Sequence, residues 1–414
     1  MFETLFRQPR VVARHRAGPL RVARERFLSH CAARGHNRQG LQKIAWLLLV
    51  VAHSLRLGRR KVGLDEIERA SQHRVGLKRR PLGSRPAHSS ERPFVHVATA
   101  WLQFLGRLHR PTSRPGPFGK RIDAFARCMH EERGLSPVTI AARCQHIEHF
   151  LATVRPRALS LSEVAISQVD QYLISQSRHG WSRTSIAVLA SDLRSFFRYA
   201  EARRWCDTPI AEAIDAPCIY RRERLPQGPS RADVQRLIAT TAGCRPVNIR
   251  DRAIVLLLAV YGLRRGEVAR LRLEDIDWVS ERLHVVRPKQ RRIQLYPLTR
   301  EVGDAILRYL RDVRPRCAHR EVFLALGAPW RPLSAESVTP IVRSRLVALG
   351  VQLPRRGAHS LRHACAAQLL ARGFSLKQIG DQLGHRRAST TLLYTKIDLG
   401  ALREVAEFDL GRLL

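Results

Sequence analysis

The sequence predicts a mainly α-helical protein with a small antiparallel β-sheet in its C-terminal half. Apolar residues recur at three- and four-residue spacing along much of the chain, which is the period of an amphipathic helix. Two runs, Leu283 to Val286 and Ile293 to Leu298, are instead typical of neighbouring strands with a basic tip between them. Segments rich in Pro and Gly divide the 414 residues into blocks, and this length suits two or three domains.

These breaks predict four segments along the chain. They are a basic N-terminal region at residues 1–110, a helical block at 117–215, a linker at 216–230 and a last block at 231–414. In the second segment, Ser136 followed by Pro137 marks a helix start, because Ser caps a helix and Pro fits its first turn. In the last segment, an amphipathic helix is predicted from Leu369 to Leu383.

The charge of the chain is strongly positive. Lys and Arg number 73 against 35 Asp and Glu, which gives a formal net charge of +38. A compact protein tolerates such an excess best beside a dense polyanion, so nucleic acid is the predicted partner. Almost all of the excess is Arg, and a GC-rich genome is an alternative source of Arg, but the size of the imbalance favours phosphate binding.

Membrane, disulfide-linked and metal-binding classes fit the sequence poorly. The apolar run from Ile44 to Ala52 is far shorter than the roughly 20 residues of a membrane span, so it predicts a core helix. The eight cysteines have no paired spacing, which predicts reduced, buried thiols in a cytoplasmic protein. His30, Cys31 and His36 lack a fourth ligand at a zinc-like spacing, so we predict no metal and no cofactor.

Two features of the last block place a cation in a defined local structure. At Gly262 an apolar helix ends and a new helix begins, so Arg264 lies at a helix N-terminus, which is a favourable place for an anion. Lys289 lies in the basic tip between the two strands and is the only lysine from residue 121 to 376. A Lys can be tuned to give up a proton, whereas an Arg cannot, so a lysine here suggests proton transfer.

Three further features follow in order along the chain. His359 and Arg362 are three residues apart and therefore share one face of a helix. His385 comes at a Gly-His corner after the amphipathic helix, and Tyr394 follows nine residues later in a short segment expected to be helical. Each motif alone is common, but five of them in this order point to phosphate chemistry.

This order and spacing resemble the tyrosine recombinase or phage integrase family. The family's pattern is an Arg in a Gly-Leu-Arg turn, a hairpin Lys, His-x-x-Arg, Leu-Gly-His and a Tyr nine residues after the last His. The counterparts here are Arg264, Lys289, His359 with Arg362, His385 and Tyr394. The resemblance implies the DNA breaking-rejoining enzyme fold for residues 231–414 and a helical SAM-like core-binding domain at 117–215, and it does not extend to residues 1–110.

The resemblance also implies a mechanism, and each residue type suits its part. The two arginines would hold the charged non-bridging oxygens of a DNA phosphate. His359 and His385 would add hydrogen bonds to that phosphate or take the proton of the nucleophile Tyr394. Lys289 would give a proton to the leaving 5′-hydroxyl, and the covalent 3′-phosphotyrosine would store the bond energy, so that neither ATP nor a metal is needed.

Two alternatives share this chemistry or this fold. A type IB topoisomerase relaxes DNA without exchanging partners, and the helical block at 117–215 favours recombination over it. A catalytically silent DNA-binding relative would have lost one of the polar groups, whereas all six are present. The hairpin departs from the family pattern, since Pro288 precedes Lys289 and Gln290 follows it where Gly is usual.

The expected setting is a mobile DNA element in a bacterium. The long N-terminal region favours an integrase of a transposon or genomic island over a chromosome-dimer resolvase, and its charge predicts additional DNA contacts. By resemblance, the working unit is a homotetramer on two paired double-stranded DNA sites in the cytoplasm, nucleoid-associated when bound, with accessory recombinases or DNA-bending proteins as further partners. The tail after Asp398 is a candidate for docking on a neighbour, which burial of Leu410, Leu413 and Leu414 would support.

Overall fold

The computed structural model describes residues 1–55, 57, 60–76, 88–109, 116–154, 160–206, 209–219, 227–287 and 292–384. These residues are mainly helical, with a three-stranded antiparallel sheet and one short parallel pair of strands. The predicted fold class is therefore confirmed. The chain divides into two units, the first made of Met1–Ser54 with Arg222–Leu414 and the second of Leu55–Arg221.

The elements are numbered in chain order. The helices are α1 (Phe2–Leu5), α2 (Pro9–Ala17), α3 (Arg21–Ala33), α4 (Arg38–Ser54), α5 (Leu64–Gly76), α6 (His88–Phe104), α7 (Gly119–Glu131), α8 (Pro137–Val154), α9 (Ile166–Arg178), α10 (Arg183–Ala202), α11 (Ile210–Ala213), α12 (Arg231–Ala239), α13 (Pro246–Val260), α14 (Arg265–Arg270), α15 (Arg300–Asp312), α16 (Ala335–Ala348), α17 (Ala358–Leu370) and α18 (Leu376–Leu383). The strands are β1 (Val62–Gly63), β2 (Leu108–His109), β3 (Ile276–Asp277), β4 (Arg282–Arg287) and β5 (Arg292–Pro297).

Helices α1 to α4 of the first unit pack together around a buried arginine. The Arg24 side chain is fully buried, and its guanidinium donates to the backbone oxygens of His15, Gly18 and Pro19 at the end of α2. Arg24 thereby satisfies carbonyl groups that a helix end leaves without partners. The run predicted as a core helix lies within α4, whose buried residues are Leu41, Ala45, Leu48, Leu49, Val51 and Ala52.

The N-terminal helices contact the rest of the first unit through Trp330. The backbone N–H of Trp330 donates to the Arg34 oxygen at 3.0 Å. Gly35 has φ +90°, and a Cβ there would overlap the Trp330 ring, so only a glycine fits against it. Residues 1–54 belong to the first unit, whereas the second unit begins at Leu55, within the region predicted at residues 1–110. The predicted domain boundaries stay a prediction.

The core of the first unit is built around α13. Every residue from Ala253 to Leu258 is buried, so this part of the helix is apolar on all sides and lies in the core of its unit. Helices α12, α14, α15, α16 and α17 all contact it. This helix ends beside the turn that carries Arg264.

Strands β3, β4 and β5 form the antiparallel sheet of the first unit. Leu283 pairs with Tyr296, so the two predicted strands form one hairpin. Side chains alternate between the two faces of β4, as the pleat of a strand requires. Leu283, Val285 and Arg287 are buried on one face, whereas Val286 is exposed on the other.

One predicted helix is wrong. The run from Leu369 to Leu383 is not continuous but belongs to α17 and α18, which are separated by a turn. Gly373 adopts φ +81° just after α17, a conformation that commonly ends a helix. Ser375 then caps α18, because its hydroxyl accepts a hydrogen bond from the Gln378 N–H. These two local signals outweigh the apolar periodicity of the run.

The second unit contains the helices α7 to α10, which enclose an apolar cluster of their own. Its fully buried aromatic side chains are Phe125, Phe150, Phe196 and Phe197. The predicted start of α8 is confirmed, since Pro137 is its first residue and the Ser136 hydroxyl accepts a hydrogen bond from the Thr139 N–H at 3.3 Å. The helical block expected here is therefore present.

The cysteines follow the prediction only in part. All eight lie in the described part of the chain and are reduced, and five are buried, but Cys218 and Cys244 are exposed and Cys317 is half-buried. The exposed pair lies outside the helices and strands, in a connecting segment and in a bend before α13. Among the described residues, none of the helices has the length and apolar character that crossing a membrane requires.

Candidate active site

Arg264 is positioned by a tight turn at the end of α13. Gly262 adopts φ +61°, and a Cβ there would come within 2.5 Å of Leu383 Cδ2, so both the backbone and the space require a glycine. Arg264 directly precedes α14, which confirms that it lies at a helix start. Its side chain is 42% exposed, which leaves part of the guanidinium open to an anion.

Glu267 fixes Arg264 from the first turn of α14. Its carboxylate accepts hydrogen bonds from the Arg264 backbone N–H and from Arg264 Nη1, both at 2.8 Å. The Glu267 side chain is buried, and Nη1 of Arg287 lies 3.9 Å from Oε1 of the same carboxylate. The charge of Glu267 is therefore shared by two arginines.

Arg362 joins the Arg264 turn to the end of α18. It lies in α17 with only 2% of its surface exposed. Its Nη1 donates to the Gly262 oxygen at 2.7 Å, and its Nη2 donates to the Leu383 oxygen at 2.5 Å. One guanidinium therefore holds together two segments that carry predicted site residues.

Three arginines converge on the C-terminal end of α18. Besides Arg362, Arg264 Nη2 donates to the Gly384 oxygen at 3.0 Å, and Arg287 Nη1 donates to the Leu383 oxygen. A helix end has carbonyl groups without partners and a partial negative charge, so it attracts guanidinium groups. Gly384 adopts φ +60°, and a Cβ there would overlap the Arg287 guanidinium. Both the backbone conformation and the lack of space therefore require a glycine at this position.

Arg287 and Tyr296 belong to this site, and neither was predicted from the sequence. Arg287 is 2% exposed, and its Nη2 donates to the Tyr296 hydroxyl, which in turn donates to the Gln382 oxygen at 2.5 Å. Burial raises the pKa of Tyr296 to about 12, so this hydroxyl stays a proton donor. Strand alternation was the available signal, because Arg287 falls on the same inward face as Leu283 and Val285.

His359 lies one turn before Arg362 on α17 and has an exposed side chain. Its pKa lies below the usual value, because partial burial and the charges of Arg362 and Arg264 disfavour the protonated ring. The ring centroid of His363 is 4.4 Å away, and burial together with His359 lowers the pKa of His363 to about 4. A neutral His359 ring can accept a proton at one nitrogen and donate a hydrogen bond from the other.

Three of the six predicted site residues lie outside the described residues, namely Lys289, His385 and Tyr394. The same holds for the tail leucines Leu410, Leu413 and Leu414. Arg287 precedes Lys289 by two positions, and Gly384 directly precedes His385. The structure therefore brings together Arg264, Arg362 and Gly384, the residue immediately before His385. The charges of both arginines also lower the pKa of His359.

Arg143 lies on α8 of the second unit, and Arg183, Arg194 and Arg198 lie on α10. Arg143 pairs with the buried Asp192 at 3.0 Å, and Arg194 donates to the Ile214 oxygen at 2.5 Å, so these two make internal contacts. Arg183 and Arg198 are exposed on α10. The exposed pair is thus the better placed for a ligand of this unit.

Comparison with family models identifies both blocks of the chain. Residues 230–399 match the model of the phage integrase family. Residues 122–204 match the model of the phage integrase N-terminal, SAM-like domain. The first match includes every predicted site residue.

Individual relatives extend these matches. The protein y4rA of Sinorhizobium fredii, whose name assigns it to the integrases and recombinases, is 34% identical over 366 residues, covering 87% of this chain and 88% of y4rA. Tyrosine recombinase XerC of Lacticaseibacillus casei is 28% identical over 292 residues, covering 69% of this chain and 96% of XerC. Among solved structures, the crystal structure of a lambda integrase dimer bound to a COC′ core site matches with a TM-score of 0.52 at 20% identity. The match covers 66% of this chain and 94% of the lambda integrase chain, so the two chains share a fold.

Proposed function

The chain belongs to the phage integrase family, and on that premise we propose that it is a site-specific DNA recombinase of the tyrosine type. It cleaves double-stranded DNA, holds the broken strand through a covalent 3′-phosphotyrosine at Tyr394 and rejoins it to a new partner strand. The names of y4rA and XerC, an integrase/recombinase and a tyrosine recombinase, support this reaction class.

One observation carries the proposal. Arg264 and Arg362 bond to the adjacent carbonyl groups of Gly384 and Leu383, immediately before His385 in the chain. Two fixed guanidinium groups suit a phosphate, whose non-bridging oxygens gain charge as the phosphorus is attacked. Arg264 gives Nη1 to Glu267 and Nη2 to Gly384, and its exposed surface leaves N–H donors for a ligand.

The proposed reaction balances without a cofactor. The Tyr394 oxygen bonds to phosphorus as its proton passes to His359 or His385, and the bond from phosphorus to the 5′ oxygen breaks. Lys289 gives a proton to the departing 5′ oxygen. Attack by the 5′-hydroxyl of another strand reverses these steps and frees Tyr394. A neutral His359 is in the form that can accept the tyrosine proton.

The biological setting is part of the same proposal. The recombinase integrates, excises or transposes a mobile DNA element and works as a homotetramer on two paired sites, and the DNA-bound dimer of lambda integrase supports the assembly of several copies on DNA. The basic N-terminal residues 1–110 add contacts to DNA outside the cleavage site.

A nicked suicide duplex tests the proposal. The duplex carries an end of the DNA element that encodes the protein, with a nick placed so that the short 5′-hydroxyl fragment diffuses away after cleavage. We expect wild-type protein to form an adduct that survives denaturing electrophoresis. Tyr394→Phe should form none, whereas Tyr309→Phe, which alters a buried tyrosine in the core of the same unit, should react like wild type.

Two results would overturn the proposal. The first is the absence of an adduct with wild-type protein, and the second is an adduct that persists in Tyr394→Phe. Adding a strand with a free 5′-hydroxyl then separates a recombinase from a topoisomerase. A recombinase should transfer the adduct to the added strand only when that strand carries the recombination site.

A further inference from the structure

Arg287 is a buried cation that none of the proposed catalytic steps uses. It ends β4 with 2% of its surface exposed, and the nearest carboxylate oxygen, on Glu267, is 3.9 Å from its Nη1. Its Nε has no hydrogen-bond partner within the described part of the chain. Burying a guanidinium at this distance from its counter-charge is costly, and an apolar side chain would close the strand more cheaply.

The contacts of Arg287 are concentrated on the end of α18. Nη1 donates to the Leu383 oxygen, and Nη2 donates to the Tyr296 hydroxyl and, at 3.4 Å, to the Gln382 oxygen. The guanidinium also occupies the space that a side chain at Gly384 would need. One group therefore restrains three consecutive residues, and His385 is the next residue in the sequence.

The same side chain reaches the end of α18 from the hairpin. Gln294 of β5 supports this contact, because its Nε2 donates to the Asp381 oxygen at 2.7 Å. Lys289 follows Arg287 by two positions, so the strand that leads to Lys289 is fixed to the helix that leads to His385. Loss of the Arg287 contacts would therefore allow both the end of β4 and the end of α18 to shift.

We propose that Arg287 is a positioning residue, which holds the Leu383–Gly384 turn and the end of β4 in one frame so that His385 and Lys289 meet the same phosphate. This inference rests on the proposed function. An Arg suits the task because its planar fork reaches several oxygens at once, whereas a Lys is a single charged point. Arg287→Lys should therefore not restore what Arg287→Met loses.

The first test measures single-turnover cleavage of the nicked suicide duplex. Arg287→Met and Arg287→Lys should cleave about 10- to 100-fold more slowly than wild type, because small displacements of reacting groups have effects of that size. Affinity for the duplex should change less than about twofold, since Arg287 is buried. The matched control is Arg314→Met, which removes a guanidinium that donates to the oxygens of His319, Glu321 and Val322 away from α18 and should leave cleavage within about twofold.

A double-mutant cycle with His385→Ala separates positioning from a general loss of structure. Because Arg287 acts through both His385 and Lys289, Arg287→Met should slow cleavage less once His385 is Ala than in the wild-type background, since only its effect through Lys289 then remains. Equal slowing in both backgrounds, or wild-type cleavage by Arg287→Met, would overturn the inference. Tyr296→Phe gives a milder variant should Arg287→Met fold poorly, and it should slow cleavage in the same His385-dependent way.

Hydrogen exchange tests the same inference without DNA. The amide protons of Gly384 and His385 should exchange at least about tenfold faster in Arg287→Met than in wild type or in Arg314→Met. If wild-type protein forms no adduct, the proposed function fails while this measurement still decides the role of Arg287. Unchanged exchange at these two amides would contradict the inference in either case.

Discussion

Arg264 and Arg362 donate hydrogen bonds to consecutive carbonyl groups, those of Gly384 and Leu383, at the end of a single short helix. The two arginines come from different helical segments and approach the turn together with Arg287 of the hairpin. Three guanidinium groups thus contact the end of α18. Whatever holds this turn in place should also control the chemistry that depends on the residues after it.

A methyl group at Gly384 should disrupt the site. Gly384→Ala places a Cβ in the space of the Arg287 guanidinium and keeps a left-handed backbone that Ala disfavours. We expect the free energy of unfolding to fall by about 2–4 kcal/mol, since strain and overpacking add. Thermal unfolding measures the loss, and the suicide duplex should show slower adduct formation.

Gly373→Ala is the control for this change. Gly373 also follows a helix with a positive φ, +81°, but a Cβ there would meet no atom within 4 Å. It should lose only about 1 kcal/mol from backbone strain and keep wild-type cleavage. Equal effects of the two substitutions would mean that the contact between Gly384 and Arg287 is unimportant.

Loss of the Glu267 charge should weaken both the fold and the site. Glu267→Gln leaves the buried Arg287 without its counter-charge and removes the carboxylate that orients Arg264. The free energy of unfolding should fall by about 2–4 kcal/mol, as for other broken buried pairs. Glu301→Gln, at an exposed carboxylate that pairs with the half-buried Arg252 at 3.6 Å, should change it by less than about 0.5 kcal/mol in the same denaturant titration.

Trp330 should hold the N-terminal helices on the first unit. Trp330→Ala removes the ring that packs against Gly35, although the backbone bond to Arg34 can persist. We expect limited proteolysis to release fragments from residues 1–54 at least several-fold faster, because local opening becomes easier. Trp278→Ala, at a 41% exposed tryptophan of the same unit, should leave the digestion pattern unchanged. Equal digestion of both variants would show that Trp330 does not anchor these helices.

Acid should destabilise the N-terminal helices through His15. This ring is fully buried between Phe2 and Phe6, and burial, with the charges of Arg24 and Arg14, lowers its pKa to about 4. A lowered pKa means that the folded state favours the neutral His15 ring. The contribution of this ring to the free energy of unfolding is therefore complete above pH 6.5 and is lost as the pH falls towards 4.

The substitution His15→Phe tests this linkage. The variant should lose about 2 kcal/mol less than wild type in free energy of unfolding when the pH is lowered from 7 to 5. Urea unfolding at the two pH values measures the difference. His30→Phe, at an exposed position in the same group of helices, should retain the wild-type pH dependence. A wild-type pH dependence in His15→Phe would refute the assignment.

Features encoded by adjacent residues were predictable from the sequence. The start of α8 at Ser136, the hairpin strands and the position of Arg264 at a helix start each follow from a few neighbouring side chains. The interruption between α17 and α18 had equally local signals in Gly373 and Ser375, but the apolar period of the longer run concealed them. Local chemistry decides where elements begin and end more reliably than a long periodic pattern does.

The convergence on α18 could not be read from local patterns. Arg264 and Gly384 are 120 residues apart, and their contact depends on how α13, α17 and α18 pack. Arg287 could not be distinguished by its residue type, because the chain contains many arginines. Only its inward position on β4 distinguishes it from the arginines that face solvent.

The most direct test of the central claim is to identify the residue that becomes linked to DNA. After cleavage of the suicide duplex, trypsin should yield the peptide Ala388–Lys396, in which Tyr394 is the only tyrosine, and tandem mass spectrometry locates the nucleotide on it. We expect a 3′-phosphate bond to the Tyr394 oxygen and a free 5′-hydroxyl on the other fragment. A bond to any other residue, or to a 5′-phosphate, would contradict it.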